Sequence, residues 1–181
     1  MLDVDKLSKM IAAAASESFS ASRAKHRKDE ILGYAILSHD TADSCCAAVA
    51  THHGLKSFVH GEDNDFLFSP PEWDEFDNGT AFASVNNELI KAYDEGDYEI
   101  DPDWHEKFRE DVFEATVQGL EILVRQGFFG TEEERNRLYL AFCLSDSETF
   151  TTHLPSWVSK LNTDRVTNKF LAWQQCNSPK K

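Results

Sequence analysis

Hydrophobic residues recur along this chain at two spacings, one typical of helices and one typical of strands. Val4, Leu7 and Ile11 share one helical face, and comparable stripes follow in later segments. The pattern predicts helices over residues 3–22, 80–95, 102–126, 154–161 and from 163 or 164 onward, with one or two helical turns over 52–59. Continuous apolar runs predict strands over residues 31–37, 45–51 and 138–144.

The clearest predicted element is the helix over residues 102–126. Asp101 is a suitable N-cap residue, and Pro102 fits the first helical position, where its missing N–H costs nothing. An apolar stripe continues to Val124, and Gly127 is the residue expected to end the helix. Capping signals and apolar periodicity therefore agree at both ends of this segment.

The first two strands are expected to pair as a hairpin, because a polar turn over residues 38–43 joins them. The segment over residues 66–73 contains two consecutive prolines, which remove donors from a strand ladder. It is therefore expected to be an extended edge piece that turns into a short helix at Glu72 and Trp73.

These elements predict an α+β fold. The chain, residues 1–181, is expected to be a single globular domain with a small mixed or antiparallel sheet of about three to four strands, covered by about five helices. Helical crossovers between strands do not recur at regular spacing, so a doubly wound parallel sheet is not expected. No stretch approaches the roughly eighteen apolar residues that a membrane helix requires.

Negative charge is concentrated in one segment of the chain. Between Glu62 and Glu114 there are eighteen acidic and three basic residues, a net charge of −15, whereas the whole chain carries −14. A localised anionic field repels nucleic acid and anionic membrane surfaces and attracts cationic partners. The composition therefore predicts a cationic protein partner and argues against nucleic-acid or membrane binding.

Four acids of the predicted long helix follow one another at i+3 and i+4, which places them on one face. They are Asp103, Glu106, Glu110 and Glu114. Like charges at this spacing destabilise a helix by about 0.2–0.5 kcal/mol per pair. A surface that serves solubility alone more often intersperses both signs. The row of acids is therefore a candidate binding surface.

Aromatic residues interleave with the acids of this charged window and could supply anchors for a partner. They are Trp73, Phe76, Tyr93 and Tyr98. We predict a partner surface formed by the row on the long helix together with the segment that precedes it: Glu72, Trp73, Asp74, Glu75, Phe76, Glu106, Glu110 and Glu114. A tryptophan that follows Pro-Pro-Glu can equally be held in the core.

Catalytic and metal-binding motifs are weak. Ser38, His39 and Asp40 are adjacent, and adjacent residues on an extended chain point to opposite faces and cannot align as a triad. No His-Glu-x-x-His pair and no glycine-rich phosphate loop occurs, so no cofactor or metal is expected. The four cysteines lack a disulfide-framework spacing, which favours reduced thiols in the cytoplasm.

One enzymatic alternative stays open. The first and third predicted strands both end in a serine and an aspartate, with Asp40 and Asp146 as the carboxylates. If these strands are parallel neighbours, the two carboxylates could meet at one sheet edge and act as a general acid and base. The other interpretation is that aspartate follows a strand because it begins turns and caps helices.

Three segments resemble one bacterial family known as domain of unknown function 4303. They are Tyr34-Ala-Ile-Leu-Ser-His-Asp40, Phe68-Ser-Pro-Pro-Glu-Trp73 and Leu138-Tyr-Leu-Ala-Phe-Cys-Leu-Ser-Asp146, followed by Leu161-Asn162. The resemblance covers nearly the whole chain and carries over no catalytic residue. It implies a small cytosolic protein like those encoded near secreted toxins. Our leading hypothesis is a non-enzymatic immunity protein that neutralises a cationic toxin such as a nuclease, and a hydrolase using Asp40 and Asp146 is the alternative.

Overall fold

A four-stranded sheet lies between a layer of long helices and a layer of turns and a C-terminal helix. The computed structural model describes residues 2–57, 65–77, 80–96, 101, 103–144 and 150–177. The strands are β1 (Ile31–Ser38), β2 (Cys45–Thr51), β3 (Glu75–Phe76) and β4 (Tyr139–Leu144). The helices are α1 (Val4–Lys25), α2 (His52–Ser57), α3 (Ala83–Asp94), α4 (Trp104–Arg125), α5 (Glu132–Arg135), α6 (Phe150–Leu161) and α7 (Asp164–Asn177).

The strand order across the sheet is β3-β2-β1-β4. β1 and β2 form the expected antiparallel hairpin, while β4 pairs with β1 in parallel, from Gly33 opposite Tyr139 to Ser38 opposite Leu144. The mixed sheet confirms the α+β prediction. Within the described part of the chain, buried apolar side chains from both sides of the sheet form one connected cluster.

The segment around the two prolines differs from the prediction. Residues 65–68 and 70–72 form two short 3₁₀ helices, and the edge strand comes later, as β3. β3 pairs antiparallel with β2 through Glu75 and Phe76. The prolines explain the difference, because Pro70 and Pro71 fit the start of a 3₁₀ turn and ladder pairing can begin only after them.

One face of the sheet is covered by α1 and α4. The Tyr34 hydroxyl of β1 donates a hydrogen bond to the Ala15 carbonyl of α1 (3.3 Å), and Phe113 of α4 contacts Phe142 of β4 (5.4 Å between ring centroids). The two helices approach closely at Gly119, where a Cβ would lie 2.8 Å from the Ser8 carbonyl oxygen. This contact fixes α4 against α1 and leaves its far side in solvent.

The opposite face of the sheet is covered by an aromatic cluster. Phe68 meets the ring of Tyr139 edge-on at 5.0 Å, and Phe170 of α7 stacks on the same ring at 6.1 Å. Trp73 fits above Gly33 of β1, where a Cβ would lie 2.6 Å from the indole. The sequence between Phe66 and Trp73 is therefore a core-forming segment.

Two asparagine side chains complete the backbone hydrogen bonding at the sheet margins. Asn162, at the end of α6, accepts from the Leu140 N–H (2.8 Å) and donates to the Leu140 carbonyl (2.7 Å). Asn86 of α3 makes the same pair of bonds to Cys45 (2.8 and 3.0 Å). Each asparagine supplies the donor and acceptor that a neighbouring strand would otherwise provide.

No helix among the described residues is both long enough and apolar enough to span a membrane.

Asn162→Ala should lower the free energy of unfolding by about 1–3 kcal/mol, because it leaves the N–H and C=O of a buried edge residue without partners. Urea denaturation monitored by circular dichroism measures the loss. Asn168→Ala, at an exposed position of α7, is the matched control. A loss no greater than that of the control would show that the Asn162 bonds contribute nothing to the edge of β4.

Candidate interaction surface

The first half of α4 presents a row of carboxylates to solvent. Asp103, Glu106, Glu110 and Glu114 are all exposed, and they are called the acidic face of α4 below. Phe108, Val112 and Ala115 lie on the buried side of the same helix. The helical period separates the two sets, as the sequence predicted.

The cations of this part of α4 pair with acids outside the row formed by Glu106, Glu110 and Glu114. Lys107 lies 3.0 Å from Asp101, and this hydrogen bond lowers the pKa of Asp101. Arg109 turns inward to Asp40 at 2.7 Å, with only 17% of its side chain exposed, and its guanidinium lies 5.5 Å from the centre of the Phe113 ring. In the described part of the chain, neither Glu106 nor Glu110 forms an ion pair.

Asp40, one carboxylate of the enzymatic alternative, is located at the carboxyl end of β1. Because β4 is the parallel neighbour of β1, the strand arrangement that the alternative requires is present. Asp146 lies outside the described residues, so the pairing of the two carboxylates stays a prediction. Asp40 itself binds Arg109 and thereby ties the end of β1 to α4.

Trp73 is a core residue, and the prediction that it is an exposed anchor is wrong. Only 2% of its surface is accessible, and its indole N–H donates to the Phe66 carbonyl at 3.0 Å. The physical reason is the turn that begins at Pro70, which carries the indole over the space above Gly33. The alternative interpretation of this tryptophan, as a residue held in the core, is correct.

Glu75 takes part in an internal ion-pair cluster with the end of α1. Lys25 donates to it at 3.0 Å, and the His26 ring lies 2.7 Å from the same oxygen. Burial alone would raise the pKa of Glu75, but the hydrogen bonds from Lys25 and His26 outweigh this effect and lower it. Glu75 therefore attaches β3 to α1, while the neighbouring Glu72 and Asp74 are exposed.

Phe76 is 51% exposed but lies on the wrong face of the sheet for the predicted surface. It pairs with Ala48, whereas Glu75, which contacts α1, pairs with Val49. Because neighbouring residues of a strand point to opposite faces, Phe76 is directed away from α1 and α4. The structure does not bring Phe76 together with the acidic face of α4, so the single surface expected from the sequence is divided in two.

Tyr93, another of the predicted aromatic anchors, is not a fully exposed residue. Tyr93 is half-buried and meets Trp104 and Phe108 edge-on at 5.9 and 5.6 Å. Tyr98 lies outside the described residues. Glu106, Glu110 and Glu114 therefore remain as the contiguous part of the predicted surface.

The cysteines carry free thiols, two of them deeply buried. Burial raises the pKa of Cys45 and of Cys143 to about 12, so both are protonated, and the thiol rather than the reactive thiolate is present. In the described ranges no group of three histidine, cysteine or acidic side chains is arranged to hold a metal ion.

Sequence reasoning missed the two ion pairs that occupy Lys107 and Arg109. Asp101 and Lys107 lie six residues apart around the start of α4, so the local spacing could have indicated their contact. Arg109 and Asp40 are 69 residues apart, and their contact arises only from the packing of α4 over the sheet.

A comparison with protein families identifies the family of this chain. The model of a family described as "Domain of unknown function (DUF4303)" matches residues 11–163. No curated protein and no solved structure matches the chain.

Glu75 gives a testable dependence of stability on pH. Its pKa in the folded state is below the ordinary value of 4.5, so its ion pairs stabilise the fold above that pH and are lost as the pH falls through the lowered value. Glu75→Gln should therefore lose less stability than the wild type on acidification from about pH 5 to about pH 3. Urea unfolding at a series of pH values measures the difference.

Two lysine variants complete this experiment. Lys25→Gln should weaken the acid dependence in the same direction as Glu75→Gln, because it removes a hydrogen-bond donor to Glu75. Lys28→Gln removes an exposed neighbouring charge and should retain the wild-type acid dependence. Identical profiles for all four proteins would contradict the role given to Glu75.

Proposed function

This chain belongs to the family described as a domain of unknown function (DUF4303), and we propose that it is a non-enzymatic binding protein whose acidic face of α4 binds a cationic protein. The observation that carries the proposal is the pairing of Lys107 with Asp101 and of Arg109 with Asp40. Because these cations are held by Asp101 and Asp40, they leave Glu106, Glu110 and Glu114 as a solvent-facing anionic row.

The row of unpaired carboxylates on α4 ends at Glu114, and the charges that follow on this helix are paired. Glu114 accepts a hydrogen bond from Gln118 at 2.8 Å, and one turn later Arg125 forms an ion pair with Glu121. The second half of the helix thus pairs its charges along its own surface, the usual pattern for an exposed helix. The contrast between the halves supports a specific role for the first half.

Neighbouring acids extend the anionic region beyond α4. Asp94 and Glu95 at the end of α3 are exposed, with Glu95 3.9 Å from Lys91, and Asp111 lies partly buried on the flank of α4. Burial raises the pKa of Asp111, so a cationic group placed beside it would stabilise its charged form. A cationic partner would gain both long-range attraction and this local contact.

The class of partner that fits best is a basic toxin, such as a nuclease, and the protein would then act as its immunity protein. Nucleases expose lysine and arginine because they bind phosphates. An acidic inhibitor can associate quickly through electrostatic steering and cover the surface that nucleic acid would occupy. The resemblance of the family to proteins encoded near secreted toxins favours this partner.

Reversing the acidic face should slow association with the partner. In Glu106→Lys/Glu110→Lys/Glu114→Lys, the association rate at low ionic strength should fall by about tenfold or more, because steering depends on surface charge. The salt dependence of the rate should flatten for the same reason. Stopped-flow mixing with the cationic toxin that the proposal places beside this gene measures both quantities.

Phe76→Ala is the matched structural control for this experiment. Phe76 is exposed on the face of the sheet directed away from α4, so its truncation should leave the association and dissociation rates unchanged. If the triple variant binds as fast as the wild type, the acidic face is not the binding surface. If the wild type does not bind the adjacent toxin at low salt, the immunity function itself is wrong.

A further inference from the structure

A second concave site lies far from the acidic face of α4. The cleft has a volume of about 530 Å³ and is located where the parallel strands β1 and β4 begin. This volume falls within the range of about 300–1,000 Å³ typical of small-molecule sites. Its floor is apolar and is formed by Phe19, Ile31, Phe129 and Leu138. About three helical turns separate Glu114 from Arg125, after which the chain enters the cleft wall.

One wall of the cleft carries both cations and anions. Its acids have partners: Asp29 accepts from the Glu30 N–H (2.9 Å) and the His53 N–H (3.1 Å), and Glu30 lies 3.9 Å from Arg137. Arg23 and Arg27 line this wall from the end of α1 and the turn after it, and both are exposed. Their neighbours Lys25 and His26 are bound to Glu75, but neither arginine forms an ion pair within the described residues. Two guanidinium groups directed to one cleft match the paired oxygens of a carboxylate.

The opposite wall comes from α5 and the residues beside it, and it contains Glu133, Glu134 and Arg137, the last of which pairs with Glu30. Glu134 accepts hydrogen bonds from the Thr131 N–H (2.7 Å) and hydroxyl (2.9 Å), completing a capping box. These bonds, and to a smaller extent the charge of Arg23, lower the pKa of Glu134. Arg23 and Glu134 thus face each other without an ion pair between them. Glu133, exposed beside them, forms no ion pair in the part of the chain that the structure describes.

We propose that this cleft binds a short peptide with both termini free, its carboxylate at Arg23 and Arg27 and its ammonium group at Glu133. The apolar floor would receive the peptide's side chain. A ligand with one charge of each sign fits both walls at once. It is also neutral overall, so the net charge of −14 on the protein does not repel it as it would an anion. This site is independent of the proposed toxin binding.

Four dipeptide probes test the proposal. They are alanyl-phenylalanine, its N-acetyl derivative, its C-terminal amide, and the form blocked at both ends. In ¹H–¹⁵N NMR titrations of the full chain up to about 10 mM, the free dipeptide should shift the Phe129 and Thr131 amides saturably. Each blocked end should weaken binding by about three- to fivefold, as expected for a partly exposed ion pair.

Charge variants link each end of the peptide to one wall. Arg27→Gln should weaken the binding of the free dipeptide. It should leave the binding of the amide unaffected, because the amide has no carboxylate. Glu133→Gln should weaken the binding of the free dipeptide. It should leave the binding of the N-acetyl form unaffected, because that form has no ammonium group. Arg165→Gln and Glu17→Gln, at exposed positions outside the cleft lining, are the controls.

Several results would overturn the proposal. They are the absence of saturable shifts, equal affinity for all four probes, and a loss of affinity in Arg27→Gln that is the same for the free dipeptide and its amide. None of these results depends on whether the protein binds a toxin.

Discussion

The parallel pairing of β4 with β1 is the contact on which the rest of the structure depends. It joins residues 33–38 to residues 139–144 and so unites the N-terminal hairpin with the C-terminal half of the chain. Asn162 then occupies the backbone groups of Leu140 on the free side of β4. At the end of β1, Asp40 meets Arg109 of α4. At the start of both strands lies the peptide-sized cleft, so one strand pair sets the position of both candidate sites.

Local signals were sufficient for most helices and for three of the strands. The helix predicted over residues 102–126 is α4, Trp104–Arg125, because its caps and apolar period lie within the segment itself. The strand β3 was placed too early, since its two residues carry no strand pattern and are defined only by pairing with β2. The parallel neighbour of β1 could not be identified either, because it depends on a partner about a hundred residues away.

The candidate surface was predicted in part, and the error has a general cause. Helical spacing correctly placed Glu106, Glu110 and Glu114 together in solvent. Exposure of an aromatic side chain, however, depends on what faces it, and Trp73 is buried because Gly33 leaves room for its indole. Phe76 is exposed, but the alternation of a strand paired to β2 directs it away from α4. Trp73 and Phe76 lie in the same acidic window of the sequence as the α4 carboxylates, but they do not share a surface with them.

The distribution of ion pairs gives the two candidate sites different electrostatic character. On α4, Lys107 pairs with Asp101 and Arg109 pairs with Asp40, so the charge left unpaired on the first half of the helix is negative. At the end of α1, Lys25 and His26 are held by Glu75, Asp29 accepts backbone hydrogen bonds and Glu30 pairs with Arg137, so Arg23 and Arg27 are the charges left without an ion pair on that wall of the cleft in the described part of the chain. Exposed ion pairs contribute only about 0–1 kcal/mol each, so stability alone gives little reason to pair some charges and leave others unpaired. What the pairing does accomplish is to leave only anions unpaired on the first half of α4, while unpaired charges of both signs remain at the cleft, and this difference suits a cationic protein at the first surface and a zwitterionic ligand at the second.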